Sequence, residues 1–147
     1  MEAYVMDAFS ARLFGGNQAG VVLPEHPLDD GVMQQIAAEF AAVEPDGSVT
    51  LRYFTPAGEV ELCGHATIAT FALLRALGRI GDGTVTAHTK AAQLAIEVQG
   101  DTVWMDMAPP RWIRELTAAA MDLTGQLWKP PAPVRALTVT AIHLVRS

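Results

Sequence analysis

Cys63, Gly64 and His65 stand side by side at the start of a strongly apolar stretch. The run from Leu62 to Leu74 contains no Asp, Glu, Lys or Arg, and its composition predicts a helix without a polar face, which must be enclosed by other elements. The first turn of such a helix presents free backbone N–H groups and the positive end of the helix dipole. These groups stabilise a carboxylate or a developing enolate. The chemistry that the arrangement suits is proton abstraction and return beside a carboxylate, with no cofactor.

Each of the three residues has a chemical and a structural interpretation. Gly64 lets a ligand approach the backbone, His65 carries a proton near neutral pH, and Cys63 can act as a base if the helix dipole lowers its pKa. Taken singly, each residue more commonly has a structural role: Gly64 as a turn glycine, His65 as a buried histidine that caps a carbonyl, and Cys63 as a small core residue. The sequence leaves both interpretations open.

Composition places the chain among soluble globular proteins. It has 147 residues, of which 50% are hydrophobic and 18% are charged, enough for one domain with a sizeable core. The net charge of −6 argues against nucleic acid or an anionic membrane as a partner. No apolar run approaches the roughly 20 residues of a membrane helix, and the acidic N-terminus is unlike a signal peptide. We therefore expect a cytoplasmic protein.

Cysteine and histidine usage predicts neither a disulfide nor a metal site. The single cysteine has no partner within the chain. The histidines other than His65 are scattered at positions 26, 88 and 143, without the short spacing of metal ligands. Both absences fit cofactor-free chemistry.

Hydrophobic spacing and turn residues predict many short strands. Strands are expected at Glu2 to Phe9, Ala19 to Leu23 and Ser48 to Pro56. Three more short strands are expected between Thr84 and Pro110, with a hairpin turn at Gln99-Gly100-Asp101. A last strand is expected within "VRALTVTAIHLV". Glu44-Pro45-Asp46-Gly47 predicts a turn.

Three helices are predicted among these strands. Leu28, Val32, Ile36 and Phe40 recur at helical spacing behind Asp29 or Asp30 as the N-cap. The apolar helix runs from about His65 to Leu77, and glycines stop it. A third is expected over residues 114–128. The fold class that follows is α+β: a curved, mainly antiparallel sheet wrapped around a central buried helix.

Two segments carry a resemblance to a known family. "FGGNQAGVV" and "LRYFTPAGEVELCGHATIAT", with the spacing between them, resemble the PhzF-like phenazine-biosynthesis isomerases of the diaminopimelate epimerase superfamily. The resemblance runs from Met1 to about Pro110, and "YFTPAGEVELCGHAT" is its most specific part.

The resemblance implies a two-domain fold, each half a sheet around a central helix, with the active site in the cleft between the halves. It implies a cofactor-free isomerase or epimerase acting on a small carboxylic acid. Gly64 and His65 would bind the substrate, braced by Asn17 of the "GGNQAG" turn. Epimerase and racemase relatives carry a catalytic thiol at the position of Cys63. Family members often dimerise, which makes a homodimer a candidate assembly.

The sequence departs from the family pattern at the catalytic glutamate. The family carries a segment like S-E-T-A-F between the first helix and the "LRYFTP" strand, and its glutamate is the acid/base. That segment is absent here, since "AAEFAAVEPDGSVTLRYF" passes straight from the predicted helix to the turn. Glu39 falls on the predicted helix and Glu44 in the predicted turn, so the role is carried onto neither. The catalytic residue is left unknown, with Cys63 as a weak candidate.

The chain is also about half as long as family members. We expect residues 1–133 to form the N-terminal domain, and residues 134–147 to be a strand that begins or replaces a second domain. Because the surviving motifs are intact, we favour a piece of a longer protein over a degraded relative.

Three functions follow as hypotheses. The first is a PhzF-like isomerase or epimerase that works by proton transfer on a small carboxylic acid. The second is a racemase dependent on the thiol of Cys63. The third is a catalytically inactive half-domain that binds a carboxylate metabolite or serves in oligomerisation.

Overall fold

The computed structural model of the chain describes residues 1–10, 12, 14–106, 136–138 and 141–143. Two helices lie in these residues, α1 (Asp30–Ile36) and α2 (Gly64–Ala76). The strands are β1 (Glu2–Ala8), β2 (Asn17–Leu23), β3 (Glu39–Val43), β4 (Val49–Thr55), β5 (Gly58–Val60), β6 (Gly83–His88), β7 (Gln93–Gln99), β8 (Thr102–Met105), β9 (Ala136–Thr138) and β10 (Ala141–His143).

All the strands belong to one sheet. Its order is β10-β1-β2-β3-β4-β6-β7-β8-β9, and β5 pairs with β4 off this path. Within the described residues, the β2–β3 and β4–β6 pairs are parallel and the others are antiparallel. The predicted α+β class is confirmed, including the tight hairpin between β7 and β8.

Helix α2 lies at the centre of the core. It contacts β1, β2 and β3 from one part of the sheet and β7 and β8 from another. Its buried residues are Ala66, Thr67, Ile68, Ala69, Thr70, Phe71, Leu73 and Leu74. Apolar side chains thus meet sheet on several sides, as the absence of a polar face predicts. In the part of the chain that is described, no helix is long and apolar enough to cross a bilayer.

The first helix ends earlier than its hydrophobic spacing predicts. Asp29 is the N-cap, as expected, and its side chain accepts a hydrogen bond from the Gly31 N–H. The helix stops because Ala37 adopts a left-handed conformation with φ of 51°. Extending the helix to Phe40 was wrong, since Phe40 lies in β3 and packs edge-on against Phe54 of β4.

The C-terminal region is described only in part. The predicted helix over residues 114–128 falls outside the described residues. Strands β9 and β10, from the tail expected to begin or replace a second domain, pair with β8 and β1 of the same sheet. The domain division at residue 133 stays a prediction.

Candidate functional site

The positive end of the α2 dipole is not neutralised by a carboxylate of its own first turn. Cys63 is the N-cap in an extended conformation. No acidic residue lies in the first turn. The first amides of a helix have no partner within the helix, and here no carboxylate of that turn offsets the positive dipole end.

Glu39 lies beside this helix start. It is the first residue of β3, where it pairs with Val21 of β2 and Tyr53 of β4. One carboxylate oxygen of Glu39, the sulfur of Cys63 and one ring nitrogen of His65 all lie within 4.8 Å of one another. Placing Glu39 on the preceding helix was therefore wrong, and the structure brings together a carboxylate, a thiol and an imidazole.

The environment of Glu39 favours its protonated form. Burial raises the pKa of its carboxyl group, and a backbone hydrogen bond acts less strongly in the opposite direction. Its Oε2 atom is buried and has no hydrogen-bond partner among the described residues. A carboxyl group whose pKa is moved towards neutrality can both accept and return a proton.

Cys63 is a poor candidate for a thiolate base. Burial raises the pKa of its thiol, and the nearby Glu39 carboxylate acts in the same direction. A hydrogen bond with the Ala66 backbone lowers the pKa, but less than burial raises it. The condition for Cys63 to act as a base, a lowered pKa at the helix end, is not met. Its Sγ lies 3.3 Å from Nδ1 of His65.

A buried chain of hydrogen bonds holds the helix start. The hydroxyl oxygens of Tyr53 and Thr67 are 2.6 Å apart, and the Thr67 hydroxyl donates to the Cys63 carbonyl at 2.9 Å. Burial raises the pKa of Tyr53 to about 12, so its phenol keeps its proton and donates to Thr67. This chain links β4 to the first turn of α2. The sequence carries no signal for it, since it depends on how β4 packs on the helix.

Neither backbone conformation nor packing requires a glycine at position 64. Gly64 is not among the residues with positive φ. A Cβ placed there would lie 3.5 Å from Cε of Met105, which is ordinary van der Waals contact. By contrast, a Cβ on Gly16 would come 2.1 Å from the Ala8 carbonyl oxygen. These observations give no support to a turn requirement for glycine, and ligand access at Gly64 stays a prediction.

Asn17 lies apart from this cluster. It is the exposed first residue of β2 and pairs with Ala8. Val21, which pairs with Glu39, is four residues further along β2, a distance of about 13 Å in an extended strand. The bracing role of Asn17 stays a prediction.

The described residues contain one group able to hold a metal ion, and it is the Glu39–Cys63–His65 cluster. Sequence spacing does not reveal this group, because two of its members are two residues apart while the third comes from a distant strand. His88 lies elsewhere, with Nδ1 3.1 Å from the side-chain amide of Gln93.

Comparisons with known proteins agree with this architecture. The family model for phenazine biosynthesis-like protein (PhzC-PhzF) matches residues 6–123. The uncharacterized isomerase YddE of Salmonella typhimurium is 32% identical, over 91% of this chain and 51% of that protein. Two crystal structures of PhzF-family phenazine biosynthesis proteins are also similar. The one from Enterococcus faecalis has a TM-score of 0.66 at 34% identity, covering 78% of this chain and 47% of that one. The one from Bacillus anthracis has a TM-score of 0.67 at 32% identity, covering 76% and 42%.

The chain belongs to the PhzC-PhzF family of phenazine biosynthesis-like proteins. It spans about half the length of the curated relatives that it matches. The family resemblance in the sequence is confirmed, and the described half carries the Cys63-Gly64-His65 motif in the position expected for it, at the start of the central helix.

Proposed function

We propose that this chain is the N-terminal half of a cofactor-independent isomerase or epimerase that moves a proton on a small carboxylic acid. The observation that carries the proposal is the convergence of Glu39, Cys63 and His65 at the open end of α2. It joins a proton carrier to an anion-binding helix end, which are the two parts that the reaction needs.

Glu39 is proposed as the acid/base. Aligned on its glutamate, the segment Ala38-Glu39-Phe40-Ala41-Ala42 shares with the S-E-T-A-F pattern of the family only the glutamate and the alanine two residues later. The glutamate was expected to be absent because no S-E-T-A-F segment follows the predicted helix, and Glu39 was placed on that helix. Because the helix ends at Ile36, Glu39 lies at the start of β3, where it can act as the acid/base.

The proposed reaction needs no group beyond these side chains. The substrate carboxylate accepts hydrogen bonds from the first-turn amides of α2, where Gly64 leaves room for it. The Glu39 carboxylate removes a proton from a carbon next to the activated group, and the electron pair left behind delocalises into the substrate. Glu39 then returns the proton to another carbon, or to the other face of the same carbon. His65 orients the substrate, and the Cys63 thiol keeps its proton.

Relatives named as isomerases support a general isomerase activity for the whole protein. The second wall of the cleft, a homodimeric assembly, a cytoplasmic location and the bracing role of Asn17 belong to the same proposal. A thiol-dependent racemase is disfavoured by the raised pKa of Cys63.

Turnover by variants of the longer, two-domain protein proposed above tests the proposal. A dihydro-hydroxyanthranilate is the first substrate to assay, as the type substrate of the family. Removing a general acid/base costs about 10²- to 10⁴-fold in rate, so Glu39→Gln should lower kcat/KM by that factor. Glu44→Gln, in the turn that follows β3, is the matched control and should leave it within about twofold. Equal activity of the two variants would overturn the assignment.

A further inference from the structure

The cluster at the start of α2 has the composition of a soft-metal site. It offers one thiol, one imidazole and one carboxylate, with the three ligand atoms within 4.8 Å of one another. Zn²⁺ binds such ligands tetrahedrally at about 2.0–2.3 Å, which sets neighbouring ligand atoms about 3.5 Å apart. The observed separation of 3.3 Å between Cys63 Sγ and His65 Nδ1 is close to that edge length. Two ligands are thus spaced for Zn²⁺ before any rearrangement.

A second observation concerns the third ligand. Glu39 Oε2 is buried and lacks a hydrogen-bond partner among the described residues. Buried polar atoms are nearly always satisfied, by protein, water or a bound ion. Gly64, which stands between Cys63 and His65, places no side chain of its own at the cluster.

We propose that Glu39, Cys63 and His65 bind one Zn²⁺ ion, with a fourth coordination position left open. Binding replaces the thiol proton of Cys63 and the proton of the Glu39 carboxyl group where it is protonated, and both leave to the buffer as the bonds to the metal form. The bound ion also coordinates the carboxylate of Glu39 and thereby inhibits proton transfer. This inhibition, unlike the binding itself, rests on the proposed isomerase function.

The ligand set selects against the abundant hard cations. Thiolate and imidazole suit Zn²⁺ and its chemical neighbours, whereas Mg²⁺ and Ca²⁺ require oxygen ligands in larger number. We expect millimolar Mg²⁺ to leave Zn²⁺ binding unchanged. The site would therefore respond to transition metals alone.

Titration of the 147-residue chain with Co²⁺ tests binding without any assay of activity. Because the chain has a single cysteine, a thiolate-to-cobalt charge-transfer band can come only from Cys63. The expected result is a band that saturates at one equivalent and disappears when Zn²⁺ is added. Cys63→Ser should abolish the band. Glu39→Gln and His65→Ala should each weaken Co²⁺ binding at least about tenfold, since even residues behind metal ligands change affinity by 10- to 100-fold.

Two matched variants complete the experiment. Glu44→Gln and His88→Ala remove a carboxylate and an imidazole outside the cluster, and should bind Co²⁺ like the unmodified chain. Circular dichroism of every variant checks that the fold is kept. A missing band in the folded chain, or wild-type affinity in Glu39→Gln or His65→Ala, would overturn the three-residue site.

The two proposals fail in distinguishable ways. Cobalt binding that needs all three residues, in a protein without isomerase turnover, would keep the metal site and remove the proposed function. Turnover by the longer protein that persists at saturating Zn²⁺ would overturn the inhibition and leave the binding result in place.

Discussion

Gly64→Ala separates the two explanations of the glycine before His65. If Gly64 serves the turn into α2, adding a methyl group should harm the fold. If it serves ligand access, the fold should tolerate the methyl group and ligand binding should not. The substitution is small enough for the two effects to be measured apart.

The structure gives the size of both effects. The new methyl group would lie 3.5 Å from Met105 Cε, without overlap. The residue sits in the first turn of a helix, where alanine is favoured over glycine by at most about 1 kcal/mol. The free energy of unfolding should therefore stay level or rise by up to about 1 kcal/mol. A ligand against the same backbone atoms would meet a methyl group, and overpacking of this kind costs about 1–3 kcal/mol, or roughly 5- to 150-fold in affinity.

Chemical denaturation and calorimetric titration with an anthranilate-like acid measure the two quantities. Gly16→Ala is the contrasting variant, because its methyl group would lie 2.1 Å from a backbone oxygen of Ala8 and should destabilise the fold. A Gly64→Ala variant that unfolds more easily by 1 kcal/mol or more, yet binds the acid as before, would refute the access explanation.

Three further predictions concern the core and the charges of the site. Ala69→Asp buries an unpaired carboxylate and should destabilise the fold by about 3 kcal/mol or more. Ala76→Asp, on the exposed end of the same helix, should destabilise it by less than about 1 kcal/mol, as measured by thermal denaturation. Equal losses of stability in the two variants would mean that α2 is not enclosed. Cys63→Ser should keep most isomerase activity, and loss of turnover in a folded variant would favour the thiol-dependent racemase. Burial raises the pKa of Glu39 above its ordinary value of 4.5, so its contribution to stability is complete below pH 4.5 and is lost as pH rises through the folded-state pKa. Glu39→Gln should remove that decline in denaturation curves measured from pH 4 to 8, and an unchanged decline would contradict the burial of the carboxyl group.

Much of the fold could be predicted from the sequence, because the informative signals are local. The charge-free run before Arg75 predicts an enclosed helix, and the structure encloses it. The turn at Gln99-Gly100-Asp101 predicts a hairpin, and β7 and β8 form one. Patterns of this kind depend only on neighbouring residues, so they are visible before the tertiary structure is known.

Strand β3 could not be predicted from its own pattern. Ala37 ends α1 in a left-handed conformation that glycine or asparagine usually provides, so no residue type marks the end of the helix. The turn at Glu44–Gly47 was the available signal: a tight turn before β4 calls for a partner strand on its other side. That partner strand is β3, which begins with Glu39. Because β3 was not predicted, Glu39 was not assigned to the site as the candidate acid/base.

The arrangement of the site needed tertiary structure. Glu39 and Cys63 are brought together by the pairing of β3 with β4 and by the packing of Tyr53 against Thr67. The direction of the Cys63 pKa shift likewise depends on burial, which outweighs the local hydrogen bond from the helix backbone. The sequence stated a lowered pKa only as a condition for Cys63 to act as a base, because the sequence contains the helix end but not the surrounding core.

The most direct test of the account is deuterium incorporation from D₂O into the substrate carbon, followed by NMR in the longer protein. The account predicts that the unmodified protein exchanges the proton and that Glu39→Gln lowers the exchange rate by about 10²- to 10⁴-fold, with Glu44→Gln and Cys63→Ser close to the unmodified rate. Exchange at an undiminished rate in a folded Glu39→Gln variant would contradict the claim that Glu39 carries the proton.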